Sequence, residues 1–192
     1  MNLFDVTGKK VIFTGASGGL GQGMAEGLLE AGAEVVLVGA SKRCEALAPE
    51  YCAKGWKAHG LQCDLASTED IQRCFDKALE LLGGEIDVLV NAAGIQRRAP
   101  SEDFSLEDWQ AVIDVNLTAP FLLSRLAGKQ MIRQGHGGKI INIASMCSYF
   151  GGSTIPAYSA SKGGIAQLTK AMCNDWARYG ITVNAIAPGY MD

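Results

Sequence analysis

Two apolar patterns alternate along the chain. Short runs rich in branched aliphatic residues recur at Lys10–Thr14 (KVIFT), Glu34–Val38 (EVVLV), Lys57–Gln62, Ile86–Val90 (IDVLV), Lys139–Ala144 (KIINIA) and Ile181–Ala187 (ITVNAIA). Such runs read as strands buried on both faces. Between them lie stretches with helical spacing, at about 22–31, 43–54, 68–82, 106–115 and 119–134, then a helix carrying Tyr158 and Lys162. Ser67 or Thr68 caps the third of these, with Glu69 and Asp70 in a first turn whose dipole favours them. In the last, Ile165, Leu168, Met172 and Trp176 follow one face and read as packing residues. Strand and helix alternate throughout, with no repeat and no linker. The pattern predicts an α/β fold, a doubly wound parallel sheet with right-handed crossovers, as one domain over residues 1–192.

In such a sheet the ligand lies at the carboxyl ends of the strands. The first strand breaks into Gly15-x-x-x-Gly19-x-Gly21, where glycines let the backbone approach a pyrophosphate and the following helix offers free N–H groups. A tight turn without a ligand is the alternative. The second strand ends in Gly39-Ala40-Ser41-Lys42-Arg43, with no acidic residue to hold a ribose hydroxyl pair. Ser41, Lys42 and Arg43 suit a 2′-phosphate or simply begin a solvated helix. Asp64, after the third strand, either accepts from an adenine amino group or caps a turn. Small residues from Asn91 to Gly94 let a flat ligand lie close to the fourth strand, and Pro188-Gly189 closes the sixth.

Ser145 stands at the end of the fifth strand, followed thirteen residues later by Tyr158 and four after that by Lys162. If Tyr158 opens a helix, Lys162 shares its face one turn on. A phenol titrates near pH 10, so acid/base work near neutrality needs a shift of about 2–3 units. One ammonium at about 4 Å is worth about 4 kcal/mol at an effective dielectric of about 20, enough for most of that shift. His59, in a strand, and His136, in the turn QGHGG, read as structural, which disfavours a Ser-His-Asp hydrolase. Asn116, between two helices, reads as structural by itself.

Composition narrows the function classes. Hydrophobic residues make up 48% and charged residues 19%, which suits a soluble chain with a large core. The net charge is −3 and no basic run exceeds two residues, so nothing marks a nucleic-acid partner. No stretch has the length to span a bilayer and the amino terminus carries no apolar leader, giving no membrane role and a cytoplasmic location as the expectation. The six cysteines show no Cys-x-x-Cys or His-Cys spacing and are expected to be reduced thiols without a metal.

With TGASGGLG at 14–21, NAAG at 91–94, Ser145, Tyr158-x-x-x-Lys162 and PG at 188–189, the sequence resembles the short-chain dehydrogenases/reductases over essentially its whole length. The resemblance implies a Rossmann sheet of strand order 3-2-1-4-5-6, a nicotinamide dinucleotide and alcohol/ketone oxidoreduction. It implies that Tyr158 exchanges the substrate proton and that Lys162 lowers the phenol pKa and holds the nicotinamide ribose. Ser145 then binds the reacting oxygen, and Asn116 becomes a fourth catalytic residue that keeps a water in the proton path. Thr14, Gly15, Ser17, Gly19, Leu20, Gly21, Ser41, Asp64, Leu65, Asn91, Ala92, Gly94, Tyr158, Lys162, Pro188 and Gly189 are the implied dinucleotide contacts.

Within the family, GLGQGMAEGL, IQRR at 95–98, GGKIINIASM and VNAIAPGYM look most like the sugar-acid dehydrogenases. That implies a hydroxy or keto acid of the gluconate type, with Arg97 and Arg98 as carboxylate partners or as solvated loop arginines. The same chemistry on a 3-oxoacyl thioester or a steroid is the alternative, as is dinucleotide binding without turnover. Such relatives commonly use NAD(H), which is favoured; NADP(H) is the alternative that Ser41, Lys42 and Arg43 support. The loop departs mildly from the commoner NNAG. Family members also continue past residue 192 with a substrate loop, a helix and a seventh strand, so the sixth strand is expected to be an open edge here. The resemblance implies a homodimer or homotetramer for a full-length form.

Overall fold

The computed structural model describes residues 4–190 of the chain. Strands β1 (Lys10–Thr14), β2 (Glu34–Gly39), β3 (Lys57–Gln62), β4 (Val88–Asn91), β5 (Gly138–Ile143) and β6 (Ile181–Ile186) form one parallel sheet in the order β3-β2-β1-β4-β5-β6. Helices α1 (Gly19–Glu30), α2 (Arg43–Ala53), α3 (Thr68–Leu81), α4 (Leu106–Ile113), α5 (Ala119–Gln134) and α6 (Pro156–Trp176) lie between them in the chain. This is the doubly wound order expected above.

Alternation along the strands divides the core in two. Val11, Phe13, Val35 and Leu37 pack on the side of α1 and α2, with Ala25, Leu29, Leu47 and Tyr51. Ile12, Val36, Val38 and Leu89 pack on the other, where α3, α5 and α6 supply Ile71, Phe75, Leu123, Met131 and Met172. Each fully buried side chain of this size is worth about 1.5–3 kcal/mol, so the central strands are held rigidly from both faces. Among the described residues β6 has no strand on its outer side, and Ile186 is exposed there. The six cysteines are free, and no described helix is long and apolar enough to cross a membrane.

Apart from one-residue shifts at element ends, three boundaries differ from those read in the sequence. Helix α1 begins at Gly19 instead of Gln22, taking in glycines that disfavour helix by themselves. Strand β4 begins at Val88 although Ile86 is fully buried: the Gln134 side chain, instead of a neighbouring strand, accepts from Ile86 N–H and donates to Ile86 C=O, each at 3.0 Å. Helices α4 and α5 are joined by a π-helical turn, Asp114–Thr118, so Asn116 sits inside a continuous helical run. Ser67 is the cap of α3, its hydroxyl accepting from Asp70 N–H at 3.2 Å.

Strand order reverses between β1 and β4, and a crevice opens beyond their carboxyl ends. Thr14 clips its floor together. Its hydroxyl donates to Val90 C=O at 3.3 Å and accepts from Ala92 and Ala93 N–H at 3.2 and 3.3 Å. Asn91, equally buried, donates to Ser124 Oγ at 3.1 Å and Asn142 Oδ1 at 2.9 Å, which ties β4 to α5 and β5 below the crevice.

Candidate active site

A cleft of about 440 Å³ follows the crevice, lined at one end by Gly39, Ala40, Asp64 and Leu65 and at the other by Ala92, Gly94 and Ile95. Its shape depends on glycine. Gly15 has φ +76°, and a Cβ there would lie 2.6 Å from Ala93 N; at Gly21 it would lie 2.1 Å from Gly15 O. Neither backbone atom can retreat, so the β1–α1 loop exists only with these residues. Ser17 and Leu20 also line the cleft. This is a cradle whose wall is backbone, as a pyrophosphate at a helix start requires.

Several of the implied dinucleotide contacts lie elsewhere. Thr14 and Asn91 are buried in the floor with their side chains committed below it, so they shape the cleft without facing it. Gly19, with φ +52°, turns the chain into α1 and is not in the wall. Ser41 is exposed, with its hydroxyl accepting from Arg43 N–H at 3.4 Å. Arg43 donates to Gln22 Oε1 at 3.2 Å, which brings its guanidinium back toward α1. Asp64 caps a turn, its Oδ1 accepting from Ala66 N–H at 3.0 Å, and the residue also lines the cleft.

The cleft continues through Leu20, Ala92, Gly94 and Ile95 into a cavity of about 330 Å³ bounded by Ser145, Tyr158, Lys162, Pro188 and Gly189. A third cavity, about 220 Å³, opens from that one and adds Arg98, Met146, Cys147, Ile155 and Tyr190. The last two share five residues, Gln96, Ser145, Tyr158, Pro188 and Gly189. Only Ser145 and Tyr158 among the five carry a hydroxyl. Gln96, Met146, Cys147, Ile155 and Tyr190 had no signal in the sequence, because loops from three parts of the chain meet there.

Pro156, at the first position of α6, starts that helix two residues before Tyr158, so Tyr158 and Lys162 do share a face. The Lys162 ammonium is 5.6 Å from the Tyr158 ring centroid and donates to Ile143 C=O at 2.5 Å. Only 5% of Lys162 is exposed, and burial lowers its pKa to about 8. Ser145 is extended at the end of β5 and caps a 3₁₀ turn, Met146–Ser148. Its Oγ accepts from Cys147 N–H at 3.1 Å, which leaves the hydroxyl proton for a group in the cavity.

Asn116 is 1% exposed and its amide is fully used. Oδ1 accepts from Ile95 N–H at 2.8 Å, while Nδ2 donates to Ile95 C=O at 2.9 Å and to Ser161 Oγ at 3.3 Å. The amide therefore holds the wall of the cleft against α6. Four residues on stands Pro120, which has no N–H for an α-helical bond to the Asn116 carbonyl.

The two arginines separate. Arg97 is exposed and paired with Asp108 at 3.2 Å, outside the cavities. Arg98 lines the smaller cavity with Ser145 and Tyr158. With the Gln96 amide oxygen turned toward it, Arg98 donates from Nε and Nη2 at 3.0 Å each.

Fold and site together define an oxidoreductase of the NAD(P)-dependent kind. Residues 9–192 match the family described as short chain dehydrogenase, and the chain belongs to that family. The chain is 44% identical over 191 residues to 2-dehydro-3-deoxy-D-gluconate 5-dehydrogenase of Escherichia coli K12, covering 100% of this chain and 75% of that protein. Gluconate 5-dehydrogenase of Gluconobacter oxydans is 41% identical over 193 residues, with 98% and 73% covered. Among solved structures, gluconate 5-dehydrogenase from Burkholderia cenocepacia, in complex with NADP and tartrate, superposes with a TM-score of 0.92 at 42% identity, covering 98% of this chain and 74% of that one.

Proposed function

We propose that the chain interconverts a secondary alcohol and a ketone on a gluconate-type sugar acid, with NADP(H) as the redox partner. The observation that carries the reading is that Ser145 and Tyr158, and no other hydroxyl, border both the cavity continuous with the glycine cleft and the smaller one beside it. A nicotinamide dinucleotide in the cleft supplies the hydride acceptor or donor. The chain's own residues then handle the oxygen and its proton. Ser145 donates its hydroxyl proton to the reacting oxygen, fixing it beside Tyr158. The Tyr158 hydroxyl takes the proton of an alcohol, or gives it to the ketone, in the same step. Lys162 would hold the ribose of the dinucleotide, and it carries its charge beside the phenol ring. The backbone carbonyl of Asn116, in place of its engaged amide, holds a water leading to Lys162.

Substrate and cofactor follow from charge. Arg98, braced by Gln96, faces the smaller cavity and offers a carboxylate a fork of N–H donors. The gluconate-dehydrogenase names of the relatives support the same class. The leaning to NAD(H) gives way to NADP(H). No carboxylate stands at the end of β2, Arg43 is held there by Gln22, and the Burkholderia relative carries NADP. A turnover panel tests the whole reading: hexonates, 3-oxoacyl thioesters and steroids with each dinucleotide, followed at the reduced-nicotinamide band. Hexonates with NADP(H) are expected to turn over. Arg98→Ala should raise KM for the hexonate by about 10–100-fold, the loss of a charged hydrogen-bond pair, while Arg97→Ala stays within about twofold. Turnover confined to another substrate class, or equal effects at both arginines, would refute the assignment.

A further inference from the structure

A second serine stands behind Ser145 and lines none of the three cavities. Ser148 ends the 3₁₀ turn that Ser145 begins, and is half-buried. Its Oγ donates to Lys162 C=O at 2.7 Å and accepts from Ser145 N–H at 3.3 Å. One oxygen thus joins the backbone of Ser145 to the backbone of Lys162, one helical turn beyond Tyr158. On its other side the turn is tied to the end of β6 by backbone alone, Met146 N–H donating to Pro188 C=O at 3.2 Å. Farther along, Gly152 N–H donates to Ser159 Oγ at 3.2 Å and fastens the rest of the loop to α6. Those two ties keep the loop folded when Ser148 is shortened. What Ser148 adds is the registry between the end of β5, which carries Ser145, and the face of α6 that carries Tyr158.

We infer that Ser148 is a positioning residue, which sets the separation of the Ser145 and Tyr158 hydroxyls and through it the rate of the chemical step. It touches neither substrate nor dinucleotide. The side chain suits the task because a hydroxyl donates and accepts at one atom; alanine does neither, and threonine does both. A misplacement of about 1 Å at a catalytic group costs up to about 10²-fold in rate. Substrate affinity is set in the smaller cavity and dinucleotide affinity by the glycine cleft, and Ser148 borders neither. The split is therefore expected in kcat.

The test compares wild type, Ser148→Ala and Ser148→Thr for kcat, KM and dinucleotide Kd by fluorescence titration, with thermal midpoints alongside. Ser148→Ala should lower kcat by about 10–100-fold, with KM and Kd within about twofold, and Ser148→Thr should recover most of the loss. Should the alanine variant fail to fold, Ser148→Cys, close in size but a weak donor and acceptor, is expected to show the same fall in kcat. An unchanged kcat, equal losses in the alanine and threonine variants, or a Kd that rises as kcat falls would overturn the assignment. The inference rests on the acid/base reading of Ser145 and Tyr158. A wild type inert toward every alcohol and ketone refutes that reading, whereas an active wild type matched by Ser148→Ala refutes the role of Ser148 alone.

Discussion

Tyr158→Phe is expected to lower turnover by about 10³-fold or more while dinucleotide affinity stays within about threefold of wild type. The change removes one oxygen and keeps the ring that lines the two neighbouring cavities. Among the described residues no Asp, Glu or His lines either of the two cavities that meet at Tyr158. Ser145 remains, but its oxygen is engaged by Cys147 N–H and an alcohol is a poor acid at neutral pH. Stopped turnover with intact binding separates proton transfer from cofactor retention. Retained turnover would remove Tyr158 from the chemistry.

Lys162→Met is expected to abolish turnover and to stabilise the fold. The ammonium is nearly enclosed, and burial depresses its pKa from 10.5 to about 8. Holding the charge in the folded state at pH 7 therefore costs about 3 kcal/mol. Methionine fills similar space without charge, losing a hydrogen bond from the charged ammonium to Ile143 C=O worth about 1.5–3 kcal/mol. The net gain is about 1 kcal/mol, or roughly 2–4 °C in Tm for a chain of this size. The pH dependence has a definite sign. Below about pH 8 both folded and unfolded chains hold the proton, and the penalty is complete. Between about 8 and 10.5 the folded state releases it first, so the wild type gains stability as pH rises and the advantage of methionine shrinks. Above 10.5 the advantage is gone. Thermal unfolding of both proteins from pH 7 to 10.5 checks this, and a methionine variant less stable at pH 7 would contradict it. A charge kept at such cost in a cavity wall is the pattern of a residue retained for function.

Sequence pattern and structure agree wherever burial alone decides. The strands of the sheet centre, such as Val35–Val38, are apolar because both faces are covered, and their ends place the cleft. Disagreement arises where a side chain replaces a backbone partner. Ile86 looks like a strand residue and is buried like one, yet Gln134 satisfies its backbone from forty-eight positions away. Thr14 and Asn91 belong to motifs that mark the dinucleotide site, but their hydroxyl and amide are spent holding its floor. The amide of Asn116 is taken up by Ile95 and Ser161, partners that spacing along the chain does not foretell. Arg97 and Arg98 are adjacent and alike in sequence; only the fold shows Asp108 beside one and the Ser145 and Tyr158 hydroxyls lining one cavity with the other. Composition and spacing carry no information of that kind.

The opening feature of the site, a phenol between two cavities, is tested most directly by following the hydrogen itself. Wild type is incubated with NADP and a hexonate deuterated at the carbinol carbon, and Tyr158→Phe is treated identically. Deuterium is predicted to appear on the nicotinamide ring in step with ketone formed by the wild type, with neither label nor ketone from the variant at comparable times. Ketone formed without label in the dinucleotide, or label transferred by the variant at the wild-type rate, would contradict hydride transfer coupled to proton transfer at Tyr158.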